Sequence, residues 1–336
     1  MPSRRVLVVG ATGTIGRATV RALLRQGHEV TCLVRPHREF SIGPGAGVAP
    51  DESVGDAALS GARVRAGEVT DRSSLTRAAF SGEPFDAVIS CLASRTGAPR
   101  DAWTVDHQGN LNVLHAAREA GTRHVVLLSA ICVQKPRLAF QHAKLAFEQA
   151  LMGSGISWTI VRPTAYFKSL SGQLQRVRQG KPFLVFGDGA LTRCKPIGDD
   201  DLGDFLAQCV AHPERHDRIL PIGGPGVAIT PREQGELLFE AVGRAPRFRH
   251  VPVGMLRATA ATLGLMGRLA PPLAEKAELA RIGHYYATES MLVWDASAGR
   301  YDADATPAFG RQTLADHYAR LVRGDVADDR GAHAVY

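Results

Sequence analysis

Three glycines, Gly10, Gly13 and Gly16, follow directly on a short apolar run, Arg5–Val9, and precede a stretch whose apolar residues Ala18, Ala22 and Leu23 recur at helical spacing. Glycine at that interval suits a strand that must turn at once, offer bare backbone to a ligand and set the next helix close to the sheet. The helix start brings unpaired N–H groups and the positive end of its dipole to the same point, so the group best held there is a phosphate or pyrophosphate. Thr12 and Thr14 add short hydroxyls suited to such a ligand, and Ile15 opens the apolar side of the helix.

A G-x-x-G-x-x-G loop this near the start of a chain resembles that of the extended short-chain dehydrogenase/reductase superfamily, and the resemblance implies a nicotinamide cofactor. A second strand, expected at His28–Val34, ends at Arg35 with His37 and Arg38 close behind. An NAD-preferring relative would place a carboxylate there for the ribose hydroxyls. Guanidinium groups at Arg35 and Arg38 attract a 2′-phosphate that a carboxylate would repel, which favours NADPH. The same resemblance puts Glu68 and Val69 beside the adenine. It also makes Arg162 to Phe167 the loop around the nicotinamide, with Pro163, Thr164 and Phe167 at the cofactor and Pro163 fixing the turn. The fourth strand, Asp86–Cys91, runs into Leu92, Ala93 and Ser94, and the backbone from Cys91 to Ala93 is expected to approach the cofactor closely.

Superfamily members carry a Ser after the fifth strand and Tyr-x-x-x-Lys on the following helix. The Tyr protonates a reducing carbonyl and the Lys holds the nicotinamide ribose. Here Ser129 and Lys144 occupy two of those positions, but the third is Phe140. A phenyl ring donates no proton. Either the chain is not a catalyst, or its reaction does not protonate an alkoxide at that spot.

The elements that must position these residues follow from periodicity. Strands are expected at Ala62–Ala66, His124–Leu128 and Ser157–Val161, Asp71 caps a helix, and a long helix runs over Trp103–Ala120 until Gly121 stops it. Alternating strands and helices make this an α/β protein, a doubly wound parallel Rossmann-type sheet with a smaller C-terminal substrate-binding part. Residues 1–170 read as the NADP-binding domain, 171–325 as a substrate-binding and lid region interleaved with it, and 326–336 as a tail. From Gly172 the chain looks like a platform of short strands and loops, and Phe40–Ser60 like a loop insertion. The 336 residues carry a net charge of +7 from 40 basic and 33 acidic residues, but these are dispersed and no basic stripe alternates with aromatics, so nucleic acid is not the expected partner. Five cysteines without a C-x-x-C pair suggest neither a disulfide scaffold nor a metal site. The first strand begins almost at once, which suggests a bacterial, cytoplasmic protein without a transit peptide.

Longer segments narrow the resemblance. LLSAICVQKP, FQHAKLAFE, IVRPTAYFKSLSGQ, GKPFLVFGDG, CKPI, LPIGGPG, ITPREQGELLF, GHYYATESMLVWD and TPAFGRQTL, spread from Leu127 to Leu314, resemble the divinyl chlorophyllide a 8-vinyl-reductases. That family implies NADPH, a magnesium tetrapyrrole substrate, and reduction of its 8-vinyl group to ethyl in chlorophyll or bacteriochlorophyll synthesis. Hydride addition to a conjugated C=C spreads charge into the macrocycle, so no phenol at position 140 is needed. Lys144 would orient the ribose. Tyr166, Lys168 or water could supply the proton. An apolar stretch, Val253–Gly264, and the pair Tyr285–Tyr286 could cover the pigment, His142, His250 and His284 are candidate axial ligands, and peripheral membrane contact fits the pigment. The competing reading is a non-catalytic NADPH-binding regulator or assembly factor.

Overall fold

Strand β1 (Arg5–Val9) is fully buried from Val6 to Val9, as a central parallel strand covered on both faces must be. It feeds α1 (Thr14–Arg25), and the chain continues through β2 (Glu29–Val34), β3 (Arg63–Ala66), α2 (Arg72–Ser74), β4 (Ala87–Ser90), α3 (Pro99–Ala102), α4 (Asn110–Glu119), β5 (His124–Leu128), α5 (Ala139–Met152) and β6 (Ser157–Pro163). After β6 come α6 (Phe167–Leu170), α7 (Leu174–Arg178), β7 (Phe183–Phe186), α8 (Asp199–Ala211), β8 (Arg218–Ile222), α9 (Pro231–Val242) and β9 (Phe248–Val251). The chain ends in α10 (Val253–Met266), α11 (Pro271–Thr288), the hairpin β10 (Val293–Asp295) and β11 (Arg300–Asp302), and α12 (Leu314–Arg323). The computed structural model describes residues 2–36, 59–266 and 271–326. His37, Arg38 and most of the expected insertion lie outside the described residues.

Seven parallel strands form the main sheet in the order β3-β2-β1-β4-β5-β6-β8, the doubly wound arrangement expected of the alternating sequence. Strand order reverses at β1, where β2 lies on one side and β4 on the other. In such sheets the crevice for a ligand opens at the carboxyl ends of the strands flanking that point. One face is covered by α1 and α8, whose Val20, Leu23, Leu202 and Leu206 pack on Val6 and Val8. The other carries Leu114, Phe147 and Leu151 over Leu7, Val9 and Val88. The two helices on the first face nearly touch, for a Cβ on Gly203 would lie 2.6 Å from the Ala18 carbonyl carbon. Arg21–Asp200 and Arg25–Asp204, each at 2.6 Å, pin the same pair at the surface.

Two expectations change. The helix read at Trp103–Ala120 starts earlier, at Pro99, and widens into a π-helix over Trp103–Gly109 before α4. Asn110 explains part of this, because its Nδ2 donates to the Asp106 carbonyl at 3.0 Å and competes with the regular ladder. The segment after Gly172 is mainly helical rather than short strands and loops, and α8 and β8 complete the main sheet. Pro221 hides β8 from a strand reading, yet β8 is an edge strand paired only with β6, where proline is tolerated. A third core, with Phe183, Phe239 and Tyr318, holds the later elements together. Among the described residues no helix is long and apolar enough to cross a membrane.

At the opposite end of the sheet from the crevice, His124 is buried, receives or gives a hydrogen bond with Thr159 at 3.0 Å, and stacks on His216 with ring centroids 3.9 Å apart. Burial, then the neighbouring His216 and Arg4, depress the His124 pKa from 6.5 to about 3. Between those values the unfolded chain holds a proton that the folded one refuses, so stability is complete above pH 6.5 and is lost as pH falls. The slope is at most about 1.4 kcal/mol per pH unit. Urea midpoints should therefore drop between pH 7 and pH 5, and His124→Gln should flatten that drop.

Candidate active site

The crevice begins at the turn after β1. Gly10 adopts φ +76°, and a Cβ there would sit 2.7 Å from the carbonyl of Cys91, so the loop can lie against the end of β4 only without a side chain. Gly16 is tighter still, because its Cβ would fall 2.1 Å from the Gly10 oxygen. Gly13 donates its N–H to Gly10 at 3.1 Å, forms the N-cap of α1 and offers no side-chain cap, which leaves the first turn of that helix facing the crevice. Thr12 and Gly13 are exposed, Thr14 is half-buried, and Ile15 is buried in the core beneath. This cradle of bare backbone at a helix N-terminus fits the diphosphate of a dinucleotide.

Residues read as binding the nucleotide end lie on one side of that turn. Arg35 follows β2 and is exposed, and the Gly67 N–H closes onto Val34 at 2.9 Å, so β2 and β3 end side by side. Glu68 is half-buried beside buried Val69, and the Val69 carbonyl accepts from Asn112 Nδ2 at 3.0 Å. Cys91 and Leu92 are half-buried and Ala93 exposed where β4 gives way to the crevice. Burial pushes the Cys91 thiol up to about 12, with a weaker opposing contact from Thr19.

The other side holds the groups with chemistry, and several have buried partners that sequence did not disclose. Lys144 Nζ lies 2.9 Å from Asp106 Oδ1, with side-chain exposures of 11% and 1%, and Asp106 also receives the Ser94 N–H at 3.3 Å. One turn further along α5, Glu148 accepts from Ser129 Oγ at 2.5 Å and pairs with Arg162. The Ser129 hydroxyl, expected to be catalytic, is buried and engaged by Glu148. Phe140 packs with Ile131, Cys132, Leu138 and Ile282. Pro163 does not fix a turn, because it is the last residue of β6 and is registered with Ile222. Thr164 is buried, its N–H donating to Ile222 at 2.9 Å and its hydroxyl to Lys195. The Phe167 ring points away from the crevice into the third core with Leu174 and Phe183.

Tyr166 is brought to the crevice with Tyr286 of α11. Tyr286 exposes 38% of its surface, but the oxygen end of each phenol is desolvated, which raises both above their ordinary range, and each also senses Cys132, whose Sγ receives the Tyr286 hydroxyl at 3.9 Å. Both therefore keep their protons at neutral pH. Tyr285 instead ties α11 down, donating to the Cys132 carbonyl at 2.9 Å. Lys168 reaches the other way, to Thr14 Oγ1 at 2.7 Å. His142 and His250 are exposed, His250 being bonded to the Gly187 carbonyl, and His284 is half-buried in α11.

An NAD(P)H-binding family matches residues 10–213, from the glycine turn to just beyond α8. The divinyl chlorophyllide a 8-vinyl-reductase, chloroplastic, of Oryza sativa subsp. indica is 46% identical over 327 residues, covering 96% of this chain and 79% of that one. The chain belongs to the divinyl chlorophyllide a 8-vinyl-reductase family. A more distant relative, the Photosystem II assembly factor Ycf39 of a Synechocystis strain, is 28% identical and covers 75% of this chain and 72% of its own. Among solved structures, the leucoanthocyanidin reductase–NADPH complex of Vitis vinifera superimposes with a TM-score of 0.65 at 17% identity, covering 95% and 99% of the two chains, which establishes likeness of fold.

Within this vinyl-reductase family member, Asp106 and Glu148 are the partners of expected site residues that the sequence did not disclose. Asp106 carries no local signal, since it stands among Asp101, His107, Gln108 and Asn110 in a largely polar stretch. Removing it leaves the Lys144 charge buried without its partner, which costs about 3 kcal/mol or more. Asp106→Ala and Lys144→Met should each lower the urea midpoint, and the double variant should be more stable than the sum of the two losses predicts. Gly16→Ala, which forces a Cβ onto the Gly10 oxygen, should weaken dinucleotide binding at least tenfold in a fluorescence titration.

Proposed function

We propose that this protein uses NADPH to reduce the 8-vinyl group of a divinyl chlorophyllide, or of its protochlorophyllide precursor, to an ethyl group. The observation that carries the reading is 46% identity to a named vinyl reductase across 96% of the chain, through the nucleotide half and the later half alike. The glycine turn from Gly10 to Gly16 supports a diphosphate-binding role, with Thr12 and Thr14 lining it and Ile15 contributing its backbone while its side chain anchors the turn to the core. Arg35, joined by Arg38, would receive the 2′-phosphate, while Glu68 and Val69 flank the adenine and Cys91 to Ala93 the inner ribose. Bound NADPH would supply hydride.

The chain's own part is to hold, orient and protonate. Lys144, fixed by Asp106, orients the nicotinamide ribose and places positive charge near the reacting end. The adjacent carbon of the reduced vinyl group needs a proton, and Tyr166 is our donor, a phenol that the nicotinamide loop carries to the crevice. Phe140 is compatible with this chemistry because the developing charge is delocalised over the macrocycle. Residues 1–170 would carry the cofactor, and parts of 171–325, with α10 and α11 as cover, the pigment. Met255 and Leu265 of α10 and Tyr286 of α11 expose 54%, 66% and 38% of their surface, an apolar area suited to a flat pigment or a membrane carrying it. All five cysteines are free, as a reducing, cytoplasmic setting in a bacterium would allow, and the product would serve chlorophyll or bacteriochlorophyll synthesis.

Incubated anaerobically with NADPH and divinyl chlorophyllide a, purified protein should shift the pigment absorption and add two hydrogens by mass. NADH should work at least tenfold less well, and Arg35→Ala should narrow that gap. Tight NADPH binding without pigment reduction would instead support a non-catalytic regulator.

A further inference from the structure

We infer that Lys168 is a cofactor-binding residue that clamps the pyrophosphate and so couples cofactor binding to the loop bearing Tyr166. The inference rests on the proposed NADPH site and concerns a residue for which sequence left proton donation open. Lys168 leaves α6 and donates from Nζ to Thr14 Oγ1 at 2.7 Å. Thr14 is the first residue of α1, a twelve-residue helix whose N-cap, Gly13, contributes no side chain. A phosphate oxygen that accepts from the N–H groups of this first turn therefore lies within direct reach of the Lys168 ammonium.

The surrounding carboxylates leave that ammonium available. Asp200 is engaged by Arg21 at 2.6 Å. Asp199, the acidic group that faces Lys168, is half-buried, its inaccessible Oδ1 makes no hydrogen bond, and desolvation pushes its pKa up to about 6 despite the opposing pull of Lys168. It is a weak competitor for the lysine compared with a doubly charged diphosphate. Tyr166, two residues before Lys168, has its phenol close enough to sense Cys132, Cys91 and Asp199, and Tyr286 senses it in turn. Only Phe167, whose side chain is buried in the third core, separates the two residues, so a diphosphate that draws in Lys168 constrains the backbone that carries Tyr166.

The test is a titration of NADPH, NADH and adenosine 2′-monophosphate into the full-length wild type, Lys168→Gln, Lys168→Arg and Arg35→Ala, read by nicotinamide or tryptophan fluorescence. Lys168→Gln should raise the Kd at least tenfold for NADPH and NADH alike and leave 2′-AMP, which lacks the pyrophosphate, unchanged. Arg35→Ala should show the reverse selectivity, weakening NADPH and 2′-AMP but not NADH. Lys168→Arg should restore much of the affinity, and thermal midpoints without nucleotide should match the wild type, so that misfolding is separated from lost contact. Equal Kd values for Lys168→Gln and wild type, with turnover reduced, would overturn the clamp in favour of proton transfer by Lys168. A wild type that binds no nicotinamide nucleotide would overturn the proposed function itself, and the clamp with it.

Discussion

How closely the chain can pass over itself between β1 and α1 decides whether this protein has a site at all. The Gly10 oxygen occupies the place that a Cβ on residue 16 would need, at 2.1 Å, and residue 10 has its own forbidden contact with the end of β4 at 2.7 Å. Two absent side chains therefore let α1 start immediately above the sheet and aim its N-terminus into the crevice. Gly203 makes the corresponding allowance on the outer side, where α8 rests on the backbone of α1. The position of α1 is thus set from both sides by backbone contact, which is stiffer than contact between flexible side chains.

The reacting half is organised differently, by charge rather than by absence of bulk. Lys144 and Glu148 stand one turn apart on α5 and could have paired with each other, as residues at that spacing commonly do. Each instead reaches sideways, Lys144 to Asp106 and Glu148 to Arg162 and Ser129, so that α5 is bonded to the π-helical stretch on one side and to β6 on the other. Buried pairs of this kind add little net stability but are costly to disturb, which suits them to fixing one arrangement of neighbouring elements. The position of α5 beneath the crevice follows from these pairs.

Legibility in the sequence followed the range of the interaction. The glycine turn, the Asp71 cap and the parallel strands up to β6 are local events, set by residues a few positions apart, and the sequence displayed them. Asp106 and Lys144, or Tyr166 and Tyr286, meet only after the sheet is assembled, and no spacing announces such meetings. Ser129 was visible as a residue but not as a hydroxyl already spent on Glu148, and Phe167 was visible beside the nicotinamide loop but not as a side chain turned into another core. Strand β8 was obscured because Pro221 speaks against a strand everywhere except at an edge.

Desolvation of three thiols has a consequence for the protein's chemical durability. Cys91 and Cys194 are held near a pKa of 12 and Cys209 near 11, by burial in each case. Only the thiolate reacts readily with peroxides, alkylating agents and disulfides. At pH 8 a thiol with a pKa of 12 is ionised in about one molecule in ten thousand. A protein whose expected substrate is a photosensitising pigment meets reactive oxygen as a matter of course, and these sulfurs present such oxidants with almost no nucleophile.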